Sequence, residues 1–258
     1  MPTQSLDDYE RDGFTVIRDL FSLTELERLR TAVEQVGTAA TAAAEHGTQY
    51  LLDNKRFVDT GSCTVQFEYA EMDRTPRVIE PVDQLHPELD ALVDDPRLVT
   101  PMQQILDTME LSLWTAKLNL KSGGGAGFGW HQDSPYWIHD CDHVDQLPNV
   151  MLLLDDQSVH NGCFRLIPRS HRQGMLPGTD DGTQLGGFYT DPGYFNEDNA
   201  FLCELPAGSL VFFSPHVVHG SFPNTSNQPR RALIYTYQPA AQPNLKRGTV
   251  RKIRSGAA

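Results

Sequence analysis

The segment Trp130-His131-Gln132-Asp133 sets an imidazole and a carboxylate two residues apart. On a β-strand, residues i and i+2 leave the same face. A neutral histidine beside a carboxylate supplies two of the three ligands of a facial-triad iron site, which uses two histidines and one carboxylate. The spacing alone is weak evidence, because His143-Val144-Asp145 repeats it within the acid-rich segment Asp140 to Asp145. That second copy lacks strand character and is expected to be a solvated loop. The first copy gains weight from residues further along the chain. A triad needs a distant second histidine, and the run SLVFFSPHVVHGS from Ser209 to Ser221 offers His216 and His219 after an apolar stretch with the character of a core strand. His216 follows Pro215 and fits a turn. His219 precedes Gly220, which lets backbone approach a bound ligand closely.

Eleven residues after His219 comes Arg230, followed by Arg231. A strand, a turn over Pro223-Asn224 and a return strand would bring this pair back to the site. A guanidinium grips a carboxylate in a bidentate fork that lysine cannot reproduce. Alternation along the apolar strand Ala232 to Tyr235 puts 230 and 231 on opposite faces, so one of them should point inward.

The elements around these residues read as one domain. The 258 residues suffice for a single well-formed core, and 39% hydrophobic with 21% charged residues is ordinary globular composition. Ser22 and Glu25 form a capping-box signature, and Leu23, Leu26, Leu29, Val33 and Val36 recur at helical spacing. An Ala-rich stretch, 38–44, ends near Gly47. A second helical region spans 87–109, punctuated by Pro96 and Pro101. After Glu110 short strand-like runs alternate with turn residues, at 111–121, 149–155, 163–167, 201–205, 209–213 and 231–237. The expected architecture is mostly β with α: a helical layer over about 1–110 packed on a β-sandwich core over about 111–240. The Gly-, Asp- and Thr-rich stretch from Gly174 to Asn196 is long for a structureless connection and is expected to be an active-site lid, with 137–145 a candidate second part.

Charge narrows the partners. Acids outnumber bases 34 to 21, and the net charge of −13 repels nucleic acid and anionic membranes. It also disfavours a CoA thioester unless a basic patch exists locally. A small-molecule substrate is expected, with the chain a monomer or homodimer. Four cysteines without a CxxC pair read as reduced thiols. The segment Met1 to Arg11 lacks a signal-like apolar run, and no apolar run nears the roughly 18 residues that cross a bilayer. These point to the cytoplasm. The sequon Asn224-Thr225-Ser226 then reads as chance.

Taken together, the motifs resemble the phytanoyl-CoA dioxygenase (PhyH) superfamily of Fe(II)/2-oxoglutarate oxygenases. The resemblance rests on Tyr9-x-x-Asp12-Gly13-Phe14 with Val16-Ile17, on WHQDSPYW at 130–137, on Asn161-Gly162-Cys163-Phe164 with Ile167-Pro168-Arg169-Ser170-His171, and on HGSFPNTSNQPRRA at 219–232. It departs from the family at Arg169, where glycine is usual. The resemblance implies a double-stranded β-helix, or jelly roll, and iron ligands His131, Asp133 and His219. It implies Arg230 on the distal carboxylate of 2-oxoglutarate, with Ser221 beside it and Met151 in the cosubstrate pocket. Lys117 and Asn119, sharing one strand face, and Gln132 within the metal motif are grouped with them. Tyr136 and Trp137 border the substrate pocket.

The implied reaction couples decarboxylation of 2-oxoglutarate to oxidation of a substrate C–H bond, with O2 as second cosubstrate and succinate and CO2 released. The substrate expected is a small secondary metabolite. Asp133 argues against halogenation, since related halogenases carry Gly or Ala there. Two rival readings stand beside this one: a divalent-metal hydrolase, which leaves Arg230 unexplained, and a catalytically silent binding module, against which the intact triad speaks.

Overall fold

The structure is a computed structural model and describes residues 3–52, 55–68, 74–180, 182–183 and 185–254. Helix α1 (Thr3–Asp12) leads into strand β1 (Phe14–Ile17). Ser22 then caps the long helix α2 (Leu23–Ala44). Its Oγ accepts from Glu25 N at 3.3 Å, and the Glu25 carboxylate accepts from Ser22 N at 2.8 Å. This reciprocal pair satisfies two otherwise orphaned donors, and the helix continues through the Ala-rich stretch without a break.

The helical layer expected through residue 110 is corrected at 48–80. That region forms four short antiparallel strands, β2 (Thr48–Leu52), β3 (Lys55–Asp59), β4 (Thr64–Phe67) and β5 (Pro76–Glu80). One face of this hairpin series sends Val58, Val65, Phe67 and Ile79 into the apolar core that also holds Leu29, Val33 and Val36 of α2. The other face presents Phe57, Gln66 and Glu80 to a cavity. Helices α3 (Pro87–Val93) and α4 (Pro96–Ile105) follow, each with a proline in its first turn, where a missing N–H leaves no bond unmade.

The remaining elements are β6 (Leu111–Lys121), β7 (Phe128–His131), the one-turn helix α5 (Ser134–Trp137), β8 (Asn149–Leu153), β9 (Phe164–Leu166), β10 (Phe201–Leu202), β11 (Leu210–Phe213), β12 (His219–Ser221), β13 (Arg230–Pro239) and β14 (Arg251–Lys252). A ten-stranded sheet runs β1-β11-β8-β13-β6-β5-β4-β3-β2, with β14 added beside β6. A four-stranded sheet runs β10-β9-β12-β7. The two sheets form the jelly roll.

Alternation along the central strands divides the interior. Val150, Leu152, Leu233 and Tyr235 pack toward the helices, while Met151, Leu153, Ala232 and Ile234 pack between the sheets. The same alternation turns Arg230 inward and Arg231 outward. Arg231 bonds Asp155 at 2.7 Å and Glu34 of α2 at 2.7 Å, fastening the helix to the sheet.

The stretch from Gly174 to Asn196 is less irregular than expected. It holds short 3-10 turns at Gly186–Phe188 and Pro192–Tyr194, and Tyr189 bridges to His131. Positions 181 and 184 of it lie outside the described residues. All four cysteines are free and buried. Among the described residues no helix is long and apolar enough to cross a membrane. Asn224 of the sequon is buried, its amide donating to Lys121 O and Gln228 O.

Candidate active site

A cavity of about 320 Å³ lies between the sheets. On its small-sheet wall, His131 of β7 and His219 of β12 are direct cross-strand partners, their ring centroids 4.2 Å apart. Asp133 lies just beyond β7, where its N–H donates to Pro215 O at 3.0 Å. His219 Nε2 is 3.9 Å from Asp133 Oδ2, and one ligand atom from each of the three residues falls within 4.8 Å of the others. This is the one such group found among the described residues.

Their orientation is fixed from behind. His131 Nδ1 sits 2.8 Å from Gly129 O, and His219 Nδ1 2.9 Å from Val217 O. A carbonyl only accepts, so each Nδ1 carries the proton and each Nε2 presents a lone pair. Asn149 donates its amide to Asp133 Oδ2 at 2.9 Å, and Thr236 Oγ1 donates to the Asn149 carbonyl oxygen at 2.6 Å. Desolvation, reinforced by the neighbouring His219, pushes the pKa of His131 down to about 3, and burial also lowers that of His219. Both rings are therefore neutral at physiological pH, as metal ligation requires. Gly220 permits the close strand packing: a Cβ there would lie 2.8 Å from Phe128 O.

Gln132 does not join the site. Strand alternation turns it away from the cavity. Its amide donates to Gly174 O at 2.8 Å and His216 O at 2.5 Å, and its carbonyl accepts from Leu176 N at 2.7 Å. It anchors the start of the Gly174 loop. The expectation of a cosubstrate contact at Gln132 is corrected accordingly.

At one end of the cavity Arg230 is 1% exposed. Its Nε and Nη2 both donate to Gly162 O at 3.0 Å, while Nη1 has no partner among the described residues. Gly162 adopts φ +84°, and a Cβ there would meet Phe222 O at 2.5 Å, so glycine alone can offer its carbonyl in this way. Burial lowers the Arg230 pKa to about 10, which still leaves it charged at neutral pH. Ser221 lines the same end. Its Oγ accepts from Lys121 Nζ at 2.7 Å and from Phe128 N at 3.2 Å. Lys121 also donates to Phe222 O. Burial, with Arg230 and Arg77 nearby, pushes its pKa down to about 5. Sequence reading missed Lys121, whose one signal was its place at the end of a strand that carries Lys117 and Asn119.

Met151, Lys117 and Asn119 all line the cavity, as do Tyr136 and Trp137. Tyr136 stacks on Phe188 with centroids 4.5 Å apart, and Leu185 and Tyr189 also reach the cavity, so the Gly174 loop walls it. Lys55 Nζ donates to Tyr189 Oη at 2.6 Å, tying β3 to that loop. Lys55, Phe57, Gln66, Glu80 and Lys246 were not anticipated as cavity residues. The first four stand on the strands that had read as helical.

The second histidine–aspartate pair stays outside the cluster. Asp145 is exposed, as expected, and bonds His216 Nε2 at 2.6 Å. His143 departs from the solvated-loop reading. It is half-buried, bonds Gln238 at 3.0 Å and stands edge-on to Trp114.

A jelly roll with a His–Asp–His face and an inward arginine in one cavity defines the class of non-haem iron oxygenases that use 2-oxoglutarate. Comparison with known proteins agrees. The phytanoyl-CoA dioxygenase (PhyH) family profile matches residues 9–232. An ectoine dioxygenase from Bordetella bronchiseptica is 31% identical over 260 residues, covering 89% of this chain and 72% of that protein. An L-proline trans-4-hydroxylase from Streptomyces griseoviridis is 29% identical over 164 residues, covering 57% of this chain and 61% of its own. In fold, the chain resembles EctD from S. alaskensis crystallised with 2-oxoglutarate and 5-hydroxyectoine, with TM-score 0.69, 22% identity, and coverage of 94% of this chain and 77% of that one. The chain belongs to the phytanoyl-CoA dioxygenase family, and it is a 2-oxoglutarate-dependent non-haem iron dioxygenase.

Proposed function

We propose that this enzyme hydroxylates a C–H bond of a small molecule, a secondary metabolite of about amino-acid size, with release of succinate and CO2. The observation that carries the reading is the pairing, in one cavity, of two neutral Nε2 atoms and a carboxylate with a buried arginine that keeps one N–H unbonded. The donor set suits Fe(II), and an orphaned guanidinium N–H is costly unless a ligand accepts from it.

In this reading His131, Asp133 and His219 would hold the iron. Bound iron, with 2-oxoglutarate and O2, supplies the decarboxylation and the oxidation of the C–H bond. The rest falls to the chain. Arg230 Nη1 and Ser221 Oγ receive the distal carboxylate of 2-oxoglutarate, with Met151 and Asn119 along its flank. Asn149 keeps the Asp133 carboxylate aimed. Tyr136, Trp137, Leu185 and Tyr189 close the cavity against water, and the Gly174–Asn196 loop acts as a lid that orders further over bound substrate. A carboxylate at 133 fills the position left free in related halogenases, which favours hydroxylation.

The cavity is near the lower end of the ~300–1,000 Å³ usual for ligand sites, and it must hold 2-oxoglutarate as well. That limits the substrate to a compact molecule, in keeping with ectoine and proline as the substrates named for the relatives. Four buried free thiols suit a reducing compartment such as the cytoplasm. The test is succinate formation from 2-oxoglutarate with added Fe(II) and ascorbate and no prime substrate. Slow iron-dependent succinate release is expected, and its absence from folded, iron-loaded enzyme would refute the reading.

A further inference from the structure

The end of the cavity away from Arg230 holds the Glu80 carboxylate and the ammonium groups of Lys117 and Lys246, to which the proposed function above gives no role. On β5 and β6, Ile79 pairs with Leu118, so Glu80 and Lys117 stand together on the next rung and face the cavity. Glu80 Oε1 accepts from Thr115 Oγ1 at 2.7 Å and from Lys246 Nζ at 2.7 Å. Its Oε2 accepts nothing among the described residues. The Lys117 ammonium has no hydrogen bond and no ion pair among the described residues, and it lies over the Trp137 ring, 5.1 Å from the centroid.

Both groups are charged. Burial alone would raise the Glu80 pKa, but Lys117 and Lys246 outweigh it and bring it to about 2. Burial works against the Lys117 charge, but Glu80 and Asp133 outweigh it and raise its pKa. Each is thus an ion in a half-enclosed site with bonding capacity left over. That arrangement is unfavourable unless a ligand completes it. Lys117 lies four residues along β6 from Lys121, the cross-strand partner of Arg230. About 14 Å of strand therefore separates the two rungs at ~3.4 Å per residue, and Lys117 stands well away from Arg230, on the rung it shares with Ile234 and Met151.

Resting on the oxygenase reading above, we propose that the prime substrate is a zwitterion, its carboxylate or phosphonate bound by the Lys117 ammonium and its cationic group by Glu80 Oε2. The side-by-side acid and ammonium match a molecule whose own charges are a few bonds apart. They select against neutral metabolites, which would leave the Lys117 ammonium unmatched, and against simple anions, which would leave Glu80 Oε2 without a donor while Oε1 stays paired with Lys246.

The experiment uses the iron-loaded enzyme with 2-oxoglutarate and reads succinate formation above the substrate-free rate. The probes are zwitterions (L-proline, a cyclic amidine carboxylate, 2-aminoethylphosphonate), their amides or esters, their des-amino analogues, and uncharged compounds of equal size. Zwitterions should stimulate most. For the best of them, Lys117→Met should raise KM at least about tenfold, with Lys117→Arg restoring part of the loss. Glu80→Gln should raise that KM and narrow the preference over the des-amino analogue. Affinity for 2-oxoglutarate, titrated without oxygen, should change less than about threefold in Lys117→Met, which also shows that the variant is folded. Greatest stimulation by an uncharged or singly charged probe, or none by any zwitterion, overturns the proposal. So does a loss of 2-oxoglutarate affinity as large as the rise in KM, which would assign Lys117 to the cosubstrate. Absence of substrate-free succinate formation would instead refute the oxygenase reading itself.

Discussion

The two ends of the cavity are built differently. The Arg230 end is made of short motif segments: Gly162, Ser221 and Arg230 sit in turns or at strand ends, and they meet through main-chain contacts such as Gly162 O to Arg230. The Glu80 end is made of side chains in the middle or at the end of ordinary strands, with Lys246 reaching in from the C-terminal segment. At the first end, backbone geometry restricts which residues are tolerated. At the second, strands accept many side chains on the cavity face while their opposite face keeps the core. A cosubstrate shared by a family fits the rigid end, and a substrate particular to one enzyme fits the adaptable end.

The largest effect that would sharpen this contrast lies at the cluster of His131, Asp133 and His219. Asp133→Ala should reduce succinate formation by more than about a thousandfold, since it would remove a proposed iron ligand and leaves Asn149 without its acceptor. Asp145→Ala should leave it nearly unchanged. A large loss in Asp145→Ala with little change in Asp133→Ala would mean that the two histidine–aspartate pairs are assigned the wrong way round. Next, Arg230→Lys should weaken 2-oxoglutarate binding by about 2–4 kcal/mol, since a lysine cannot hold Gly162 O along one edge and still present a second charged donor to the carboxylate. Arg231→Lys should leave binding alone and lower thermal stability instead, because Arg231 joins Asp155 to Glu34. Titration calorimetry with thermal melts separates the two outcomes.

A smaller effect concerns pH. Lys121 is largely neutral in the free enzyme above about pH 5, and a carboxylate arriving beside Arg230 and Ser221 raises its pKa. Binding of 2-oxoglutarate should then take up protons, with affinity rising as pH falls toward 5 and levelling below it. Calorimetry in buffers of different ionisation enthalpy measures this, and proton release on binding would contradict it. The smallest effect should touch neither end. Arg169 holds φ +69° where the family usually has glycine, and its guanidinium, 3.5 Å from Asp12, is mostly exposed. Arg169→Gly should stabilise the fold by about 0.5–1 kcal/mol, relieving the left-handed backbone at the cost of a weak ion pair. Activity should not change. A clear fall in melting temperature would show the ion pair to matter more than the backbone.

The same contrast explains what could be read from the sequence. The triad residues, Arg230 and the strands after Glu110 were legible because their spacing is set by main-chain geometry: Asp133 follows the end of β7 by two residues, and the segment from His219 to Arg230 crosses from the small sheet to the large one instead of forming the expected return strand beside β12. The strands β2 to β5 were not. They are four or five residues long, and their cavity face carries Gln66 and Glu80 where a core strand would carry apolar groups. Lys246 was invisible for another reason, since its contact with Glu80 spans 166 residues. Gln132 lies between His131 and Asp133 in the motif, but its side chain points to the other side, where it bonds Gly174 O, His216 O and Leu176 N, so membership of the motif does not make it a cavity residue.

The most direct test of the central claim is an anaerobic Fe(II) titration of three forms: the native enzyme, His216→Ala and His219→Ala. The account predicts one iron per chain for the native enzyme and for His216→Ala, whose ring bonds Asp145 and stands outside the triad, and affinity weakened at least about a hundredfold in His219→Ala. Iron retained by His219→Ala and lost by His216→Ala would contradict it.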